Sequence, residues 1–193
     1  YPFYVLVESQ GADRELDTQR FNNAMEAAYE NGLIVDAAIS QSESDCEAFW
    51  GLRDDVEQGL HGGFPIIFDI SLPIGEMDRY ICDLKSNMKD AIGEHKLWVF
   101  GHLGDGNLHI NVWAPQLEPG DAGRVAAIVY GPLRLARGSI SAEHGIGLDK
   151  KAYLALSRTP EEIATMRLLK RTLDPHNILN PGKLFDLEET TSP

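Results

Sequence analysis

Cysteine is scarce in this sequence: only Cys46 and Cys82 occur, far apart and in no CxxC pair. A disulfide framework is therefore not indicated, and a reducing, cytoplasmic setting is expected. No run approaches the roughly 20 apolar residues of a membrane span, so no transmembrane segment is expected. A charged-then-apolar leader is also missing, which argues against a secretory signal. Basic residues are few, 17 Lys and Arg against 30 Asp and Glu, for a net charge of −13. That balance excludes a nucleic-acid surface, which needs a basic face. It also means that an anionic substrate has to meet a locally positive spot made by an arginine, a histidine or a metal ion. No HExxH helix occurs. Gly145-Ile146-Gly147 lacks the third glycine of GxGxxG, and Gly182-Lys183-Leu184 lacks the Ser/Thr of a P-loop, so nucleotide binding is not supported. The chain opens at Tyr1-Pro2 without an initiator methionine and reads as a fragment of something longer or as a processed chain.

What is present suffices for a real core, with 43% hydrophobic residues in 193. A strand is expected over about Phe3–Glu8, then a helix with Phe21, Ala24, Met25 and Ala28 on one face and Gly32 as its stop. A short strand around Leu33–Ala38 precedes a second helix from Ser42, with Asp45 reaching back and a stripe of Phe49, Leu52 and Val56. After His61-Gly62-Gly63, Phe64–Leu72 reads as a buried strand. Pro73 opens a third helix with the stripe Met77, Ile81, Leu84, Met88 and Ile92, ended by Gly93. A hairpin over Leu97–Trp113, a helix over about Asp121–Arg137 and a strand with glycine turn near Ser139–Gly147 follow. Thr159-Pro160-Glu161-Glu162 is a capping box that starts the last helix, which ends near Asp174-Pro175. The pattern predicts an α+β fold, a ferredoxin-like antiparallel sheet with helices packed on one face. The β-α-β-like stretches before and after Gly93 each suit one half of it.

The hairpin carries the first chemistry. Asp105-Gly106 is a two-residue turn signal, which would set His102 opposite His109, with Asn111 pointing the same way. The other face would then be apolar: Leu97, Val99, Leu103, Leu108, Ile110 and Val112. Two imidazoles held so closely suit a divalent cation, although such a pair can equally hydrogen-bond its surroundings. Glu143, in Ser141-Ala142-Glu143-His144-Gly145-Ile146-Gly147, offers a third ligand. His144 beside it would stay free as a general base. Taken alone, these two also read as a helix-entry glutamate and a surface histidine.

Three ordered motifs resemble one family. Gly101-His102-Leu103-Gly104-Asp105-Gly106-Asn107-Leu108-His109-Ile110-Asn111 resembles the metal-binding segment of the FAD-linked oxidase C-terminal domain. Ser141–Gly147 looks like its second signature, and Asn177-Ile178-Leu179-Asn180-Pro181-Gly182-Lys183 is similar to its closing motif. This is the family of D-lactate, glycolate and D-2-hydroxyglutarate dehydrogenases, among the vanillyl-alcohol-oxidase-like flavoproteins.

The resemblance implies that residues 1–193 form the substrate or cap domain of an FAD-dependent 2-hydroxyacid dehydrogenase. Residues 174–193 would be a tail that packs toward an N-terminal FAD-binding domain absent from this chain. It implies a metal, usually zinc, on His102, His109 and Glu143, with His144 taking the hydroxyl proton. Asn111 would hold the substrate carboxylate or hydroxyl, and Arg53 would clamp the carboxylate with its two-pronged donor geometry. Asn180 and Lys183 would lie near the flavin, unless Asn-Pro-Gly is simply a helix-terminating turn. The implied partners are a small 2-hydroxyacid and the FAD-binding domain, and a homodimer is compatible with the sequence. The electron acceptor is not legible.

Two positions depart from the family pattern. Ile67 stands where the resemblance implies a lysine for a distal carboxylate, and Glu57 where a small hydroxyl residue is usual. An isoleucine cannot pair with an anion, which points away from 2-hydroxyglutarate and toward a D-lactate- or glycolate-like substrate. The rival readings are a zinc-dependent hydrolase and a non-catalytic metal-binding interaction module.

Overall fold

The computed structural model of the protein describes residues 4–55 and 65–187. The chain divides into two compact units, Tyr1–Gln58 and Gly59–Pro193.

The first unit holds two helices, α1 (Arg14–Glu30) and α2 (Glu43–Asp54). Each starts where a side chain satisfies a free backbone N–H: Asp13 accepts from Leu16 N, and Ser42 accepts from Asp45 N. Asp45 does reach back, but to Gln41 N, one residue before the cap. The strands expected over Phe3–Glu8 and Leu33–Ala38 do not form among the described residues. Tyr4, Val5, Leu33 and Val35 are exposed and join no ladder. An apolar run becomes a strand only by pairing its backbone, and neither run forms a ladder among the described residues. Leu52 of the expected α2 stripe is exposed. Val56, Glu57 and His61-Gly62-Gly63 lie outside the described residues.

The second unit is built on β1 (Ile66–Ser71), α3 (Ile74–Ile92), β2 (Lys96–His102), β3 (Asn107–Trp113), α4 (Ala122–Tyr130) and α5 (Pro160–Leu173). The sheet order is β1-β3-β2 and both pairings are antiparallel. One antiparallel bridge, Ser71 to Ser139, adds a vestigial fourth strand beside β1. The spatial order bridge-β1-β3-β2 is the β-α-β-β-α-β arrangement of ferredoxin-like folds. The fold is therefore α+β as anticipated, but the whole unit lies after Ile66, and the strand expected at Ser139–Gly147 is reduced to a single bridge.

The core forms between one sheet face and two helices. Phe68, Ile70, Leu108, Ile110 and Val112 meet Met77, Tyr80, Leu84, Met88 and Ile92 of α3, and Val125, Ala126, Val129 and Tyr130 of α4. Each large side chain so buried contributes roughly 1.5–3 kcal/mol relative to exposure. Tyr80 takes the deep position that periodicity suggested for Ile81, and its hydroxyl donates to Val129 O at 2.7 Å. The fourth helix stops at Tyr130, before Arg137: Gly131 keeps helical angles, but Pro132 has no N–H to continue the α-helical bonding. The chain tightens into a 3₁₀ turn over Gly131–Arg134. A second 3₁₀ segment, Lys151–Leu156, has no counterpart in the sequence reading. The Thr159 capping box closes in both directions, through Glu162 N to Thr159 Oγ1 at 3.2 Å and Thr159 N to Glu162 Oε2 at 2.7 Å.

The hairpin differs from expectation in its turn. Leu103–Asp105 forms a 3₁₀ turn and Gly106 follows in the left-handed region at φ 73°, giving a four-residue loop. Asp105 Oδ1 accepts from Asn107 N at 3.1 Å, and Gly106 O accepts from Leu72 N at 2.9 Å. These two bonds favour the longer loop over the type I′ turn. Leu103, placed on the apolar face by the shorter turn, is exposed at the tip. A Cβ on Gly106 would lie 2.0 Å from Leu72 O, whereas one on Gly104 would meet open space. Gly106→Ala should therefore lower unfolding stability by about 2 kcal/mol or more, and Gly104→Ala should be neutral or slightly stabilising. Denaturant midpoints of the two variants check this contrast.

A candidate metal and acid–base site

The second face of the sheet carries the chemistry. On β3, Asn107, His109 and Asn111 alternate with the core residues, and the ladder sets their neighbours. His102 pairs with Asn107, Phe100 with His109, and Trp98 with Asn111. Across the other ladder, Asp69 pairs with His109, Ser71 with Asn107, and Ile67 with Asn111. His102 is thus diagonal to His109 rather than directly opposite. The shift is two residues, an even number, so every side chain keeps its predicted face. The two rings still meet edge to face, with centroids 5.6 Å apart.

Glu143 completes the cluster from the loop after the Ser139 bridge. Its Oε1 lies 3.4 Å from His102 Nε2, and its Oε2 lies 3.9 Å from His109 Nε2. The donor atoms of His102, His109 and Glu143 all fall within 4.8 Å of one another. Donors about 2.0–2.2 Å from a shared tetrahedral ion would sit roughly 3.4 Å apart, so this set fits a divalent cation with little movement. Asn107 Nδ2 donates to Glu143 Oε1 at 2.7 Å and steadies it, which leaves the buried Asn107 Oδ1 without a partner. His144 stacks on His109, centroids 5.8 Å apart and planes 26° from parallel, and is exposed.

The device that holds this loop is Asp69, a fully buried carboxylate in the middle of β1. Its Oδ2 accepts from the backbone N–H groups of Ala142, Glu143 and His144 at 3.1, 3.0 and 2.9 Å, and from Ser141 Oγ at 3.0 Å. Lys150, itself buried, brings its ammonium to 3.3 Å from the same oxygen. Burial alone would raise the Asp69 pKa. The N–H groups of His144 and Glu143, the Ser141 hydroxyl and the Lys150 charge outweigh it and hold the carboxyl well below the usual range. Asp69, His109 and His144 also bring donor atoms within 4.8 Å. With its oxygens already bonded, however, Asp69 is a support rather than a ligand, 3.9 Å from His109 Nδ1.

Of the other anticipated residues, Asn111 also lies on the chemical face, buried, with no partner for Oδ1 among the described residues. Arg53 belongs to the first unit, in the last turn of α2, where it pairs with Asp54 at 2.6 Å and lies over the Trp50 ring. Asn180 and Lys183 are exposed in a turn after α5, joined by a bond from Lys183 N to Asn180 O at 3.3 Å. That turn does not terminate α5. Asp174 does, accepting from Ile178 N and Leu179 N at 3.0 and 2.9 Å and pairing with Lys170. The following segment returns to its own unit through Leu184 N to Gly147 O at 2.9 Å and the buried Phe185. Sequence reasoning missed Asp69, Lys150 and the role of Asn107. A lone Asp in Ile66-Ile67-Phe68-Asp69-Ile70 was the available signal, since a buried charge demands partners. Lys150 offered none.

Because Asp69 is more acidic folded than unfolded, its stabilising contribution is complete above the unfolded pKa of about 4. It is lost as pH falls through the lower folded value. Asp69→Asn should cost about 3 kcal/mol at neutral pH and flatten the fall of stability below about pH 4. Unfolding free energy measured against pH for both proteins checks the size and the sign.

Residues 1–184 match the family of FAD linked oxidases, C-terminal domain. The chain is 38% identical to a D-2-hydroxyglutarate dehydrogenase of Xanthomonas citri pv. viticola, over 98% of this chain and 41% of that protein. It is 36% identical to the mitochondrial D-2-hydroxyglutarate dehydrogenase of Rattus norvegicus, over 94% of this chain and 34% of that protein. The mitochondrial enzyme of Arabidopsis thaliana is also 36% identical, over 95% and 32% of the two chains. The chain thus spans well under half the length of these relatives. Among the described residues, no helix is long and apolar enough to cross a membrane. The matched span and these identities show that the chain belongs to the FAD-linked oxidase C-terminal domain family.

Proposed function

We propose that this chain is the substrate- and metal-binding part of a flavin-dependent dehydrogenase that oxidises a 2-hydroxyacid to the 2-oxoacid. The observation that carries the proposal is the convergence of His102, His109 and Glu143 beside a free imidazole, His144, and a buried amide oxygen of Asn111 without a partner. Family membership favours this reading over a hydrolase or a binding module.

In this reading His102, His109 and Glu143 hold a divalent cation, zinc by preference, which when bound supplies Lewis acidity at the substrate oxygens. An imidazole nitrogen of His144 takes the hydroxyl proton, a role that suits an exposed histidine next to the ligand set. Asn111 and Arg53 orient the substrate, the arginine through two parallel bonds to the carboxylate. FAD, held mainly by another domain with Asn180 and Lys183 of the 174–193 tail turned toward it, supplies the two-electron acceptor. The free state of Cys46 and Cys82 suits a reducing, cytoplasmic setting, although the rat and Arabidopsis relatives are named mitochondrial.

The relatives are named for 2-hydroxyglutarate, yet the Ile67 side chain stands on the chemical face beside Asn111. An apolar group there gives a second carboxylate nothing to bind, so the proposed substrate is a monocarboxylate such as D-lactate or glycolate.

Elemental analysis of the full-length protein should find near-stoichiometric zinc or manganese that disappears in His102→Ala and His109→Ala. A folded, metal-free wild type that takes up no added metal would refute the ligand assignment. For substrate choice, kcat/KM should favour D-lactate or glycolate over D-2-hydroxyglutarate by at least about tenfold, and Ile67→Lys should narrow that ratio. A wild-type preference for D-2-hydroxyglutarate would reject the monocarboxylate reading.

A further inference from the structure

A separate cavity of about 530 Å³ opens on the second unit and shares no residue with the histidine cluster. Three arginines line it: Arg134 and Arg137 from the segment after α4, and Arg158 just before α5. In a chain of net charge −13, this concentration of positive charge needs a reason.

Most arginines in this chain that meet an acid do so locally. Arg20 pairs with Asp17, Arg79 with Glu76, and Arg124 with Asp121. Among the described residues, Arg134 and Arg137 have no side-chain partner. Arg158 donates only to a neutral carbonyl, Ser157 O, at 2.7 Å. Two acids, Asp105 and Glu162, also line the cavity, but each already accepts a backbone N–H, from Asn107 and Thr159 respectively. Three exposed arginines therefore line the space with two carboxylates, each of which has one oxygen occupied by a backbone N–H, leaving an excess of positive charge.

The backbone points the same way. Arg137 sits at φ 56°, in the left-handed region where a side chain is disfavoured and glycine would be easier. The next residue, Gly138, is pressed so closely on β1 that a Cβ would lie 2.7 Å from Ser71 O. The turn is thus fixed against the sheet, and an arginine is held in a strained conformation at the cavity wall. Thr159, the cap of the 14-residue α5, borders the same space, so the positive end of that helix adds to the field.

We infer that this cavity binds a phosphate-bearing small molecule. A tetrahedral phosphate presents several oxygens that planar guanidinium forks from different segments can engage together, which a single carboxylate cannot. The volume is in the range of small-molecule pockets.

The test is calorimetric titration of the full-length protein with inorganic pyrophosphate, in sodium chloride of matched ionic strength, with citrate as the carboxylate comparison. Saturable pyrophosphate binding, tighter than citrate, is expected. Arg134→Ala and Arg137→Gly should each weaken it at least about tenfold, the second without loss of melting temperature because it relieves the left-handed backbone. Arg124→Ala, removing a paired arginine outside the cavity, should leave it unchanged. Absence of saturable binding, tighter binding of citrate, or an equal loss in Arg124→Ala would each overturn the assignment.

Discussion

One buried carboxylate, Asp69, organises the candidate site of this molecule. The loop from Ser139 to Lys150 has almost no ladder of its own, its one ladder-type pairing with the sheet among the described residues being the Ser71–Ser139 bridge. Its backbone N–H groups therefore need an acceptor from elsewhere. Asp69 supplies it, gathering Ala142, Glu143 and His144 on one oxygen while Lys150 balances the charge. Stability alone does not require this arrangement, because a well-packed apolar residue often serves a buried position as well as an ion pair does. What Asp69 uniquely provides is position: it fixes two consecutive residues, Glu143 and His144, so that one faces His102 and His109 and the other stacks on His109.

The sheet separates stability from chemistry. On one face Ile70, Ile110 and Val112 are fully buried under α3 and α4. On the other, β3 presents Asn107, His109 and Asn111 in a row, flanked by Phe100 and Ile67, which are 40% and 55% exposed. A strand can do both because its side chains alternate, and β3, as the central strand, is held on both edges. The strand paired on both edges thus carries the central histidine of the candidate site, and the more exposed His102 and Glu143 close on it from a strand end and a loop.

That alternation explains what could be read from the sequence. Assigning His102 and His109 to one face depended only on parity, so it survived a wrong turn type and a register off by two. Leu103 did not survive, because it lies inside the turn, where parity has no meaning. Capping boxes and glycine stops are local, and Ser42, Thr159 and Gly93 all mark helix ends as expected. The strands expected over Phe3–Glu8 and around Leu33–Ala38 failed for the opposite reason, since pairing is not local. The Asp69–Lys150 link spans 81 residues, and only the fold brings it together.

Two buried acceptors on the same sheet face, Asn107 Oδ1 and Asn111 Oδ1, have no partner among the described residues. Asn107 Oδ1 is left unpaired because its amide nitrogen is drawn to the negative Glu143, and turning the amide over would set two oxygens against each other. Asn111 Oδ1 is unpaired with no such internal cause. An orphaned buried acceptor costs on the order of 1–3 kcal/mol, a cost that a folded protein relieves wherever a donor can reach. A carboxylate has no proton to offer that oxygen at neutral pH, whereas a hydroxyl does. In the proposed reaction a hydroxyl suits Asn111 Oδ1 as the substrate enters, its single proton then turns to the imidazole of His144, the basic group that takes it, and the carboxylate falls to positive partners. That division leaves the hydroxyl held on the same face as His109, Glu143 and His144, where its proton has to leave.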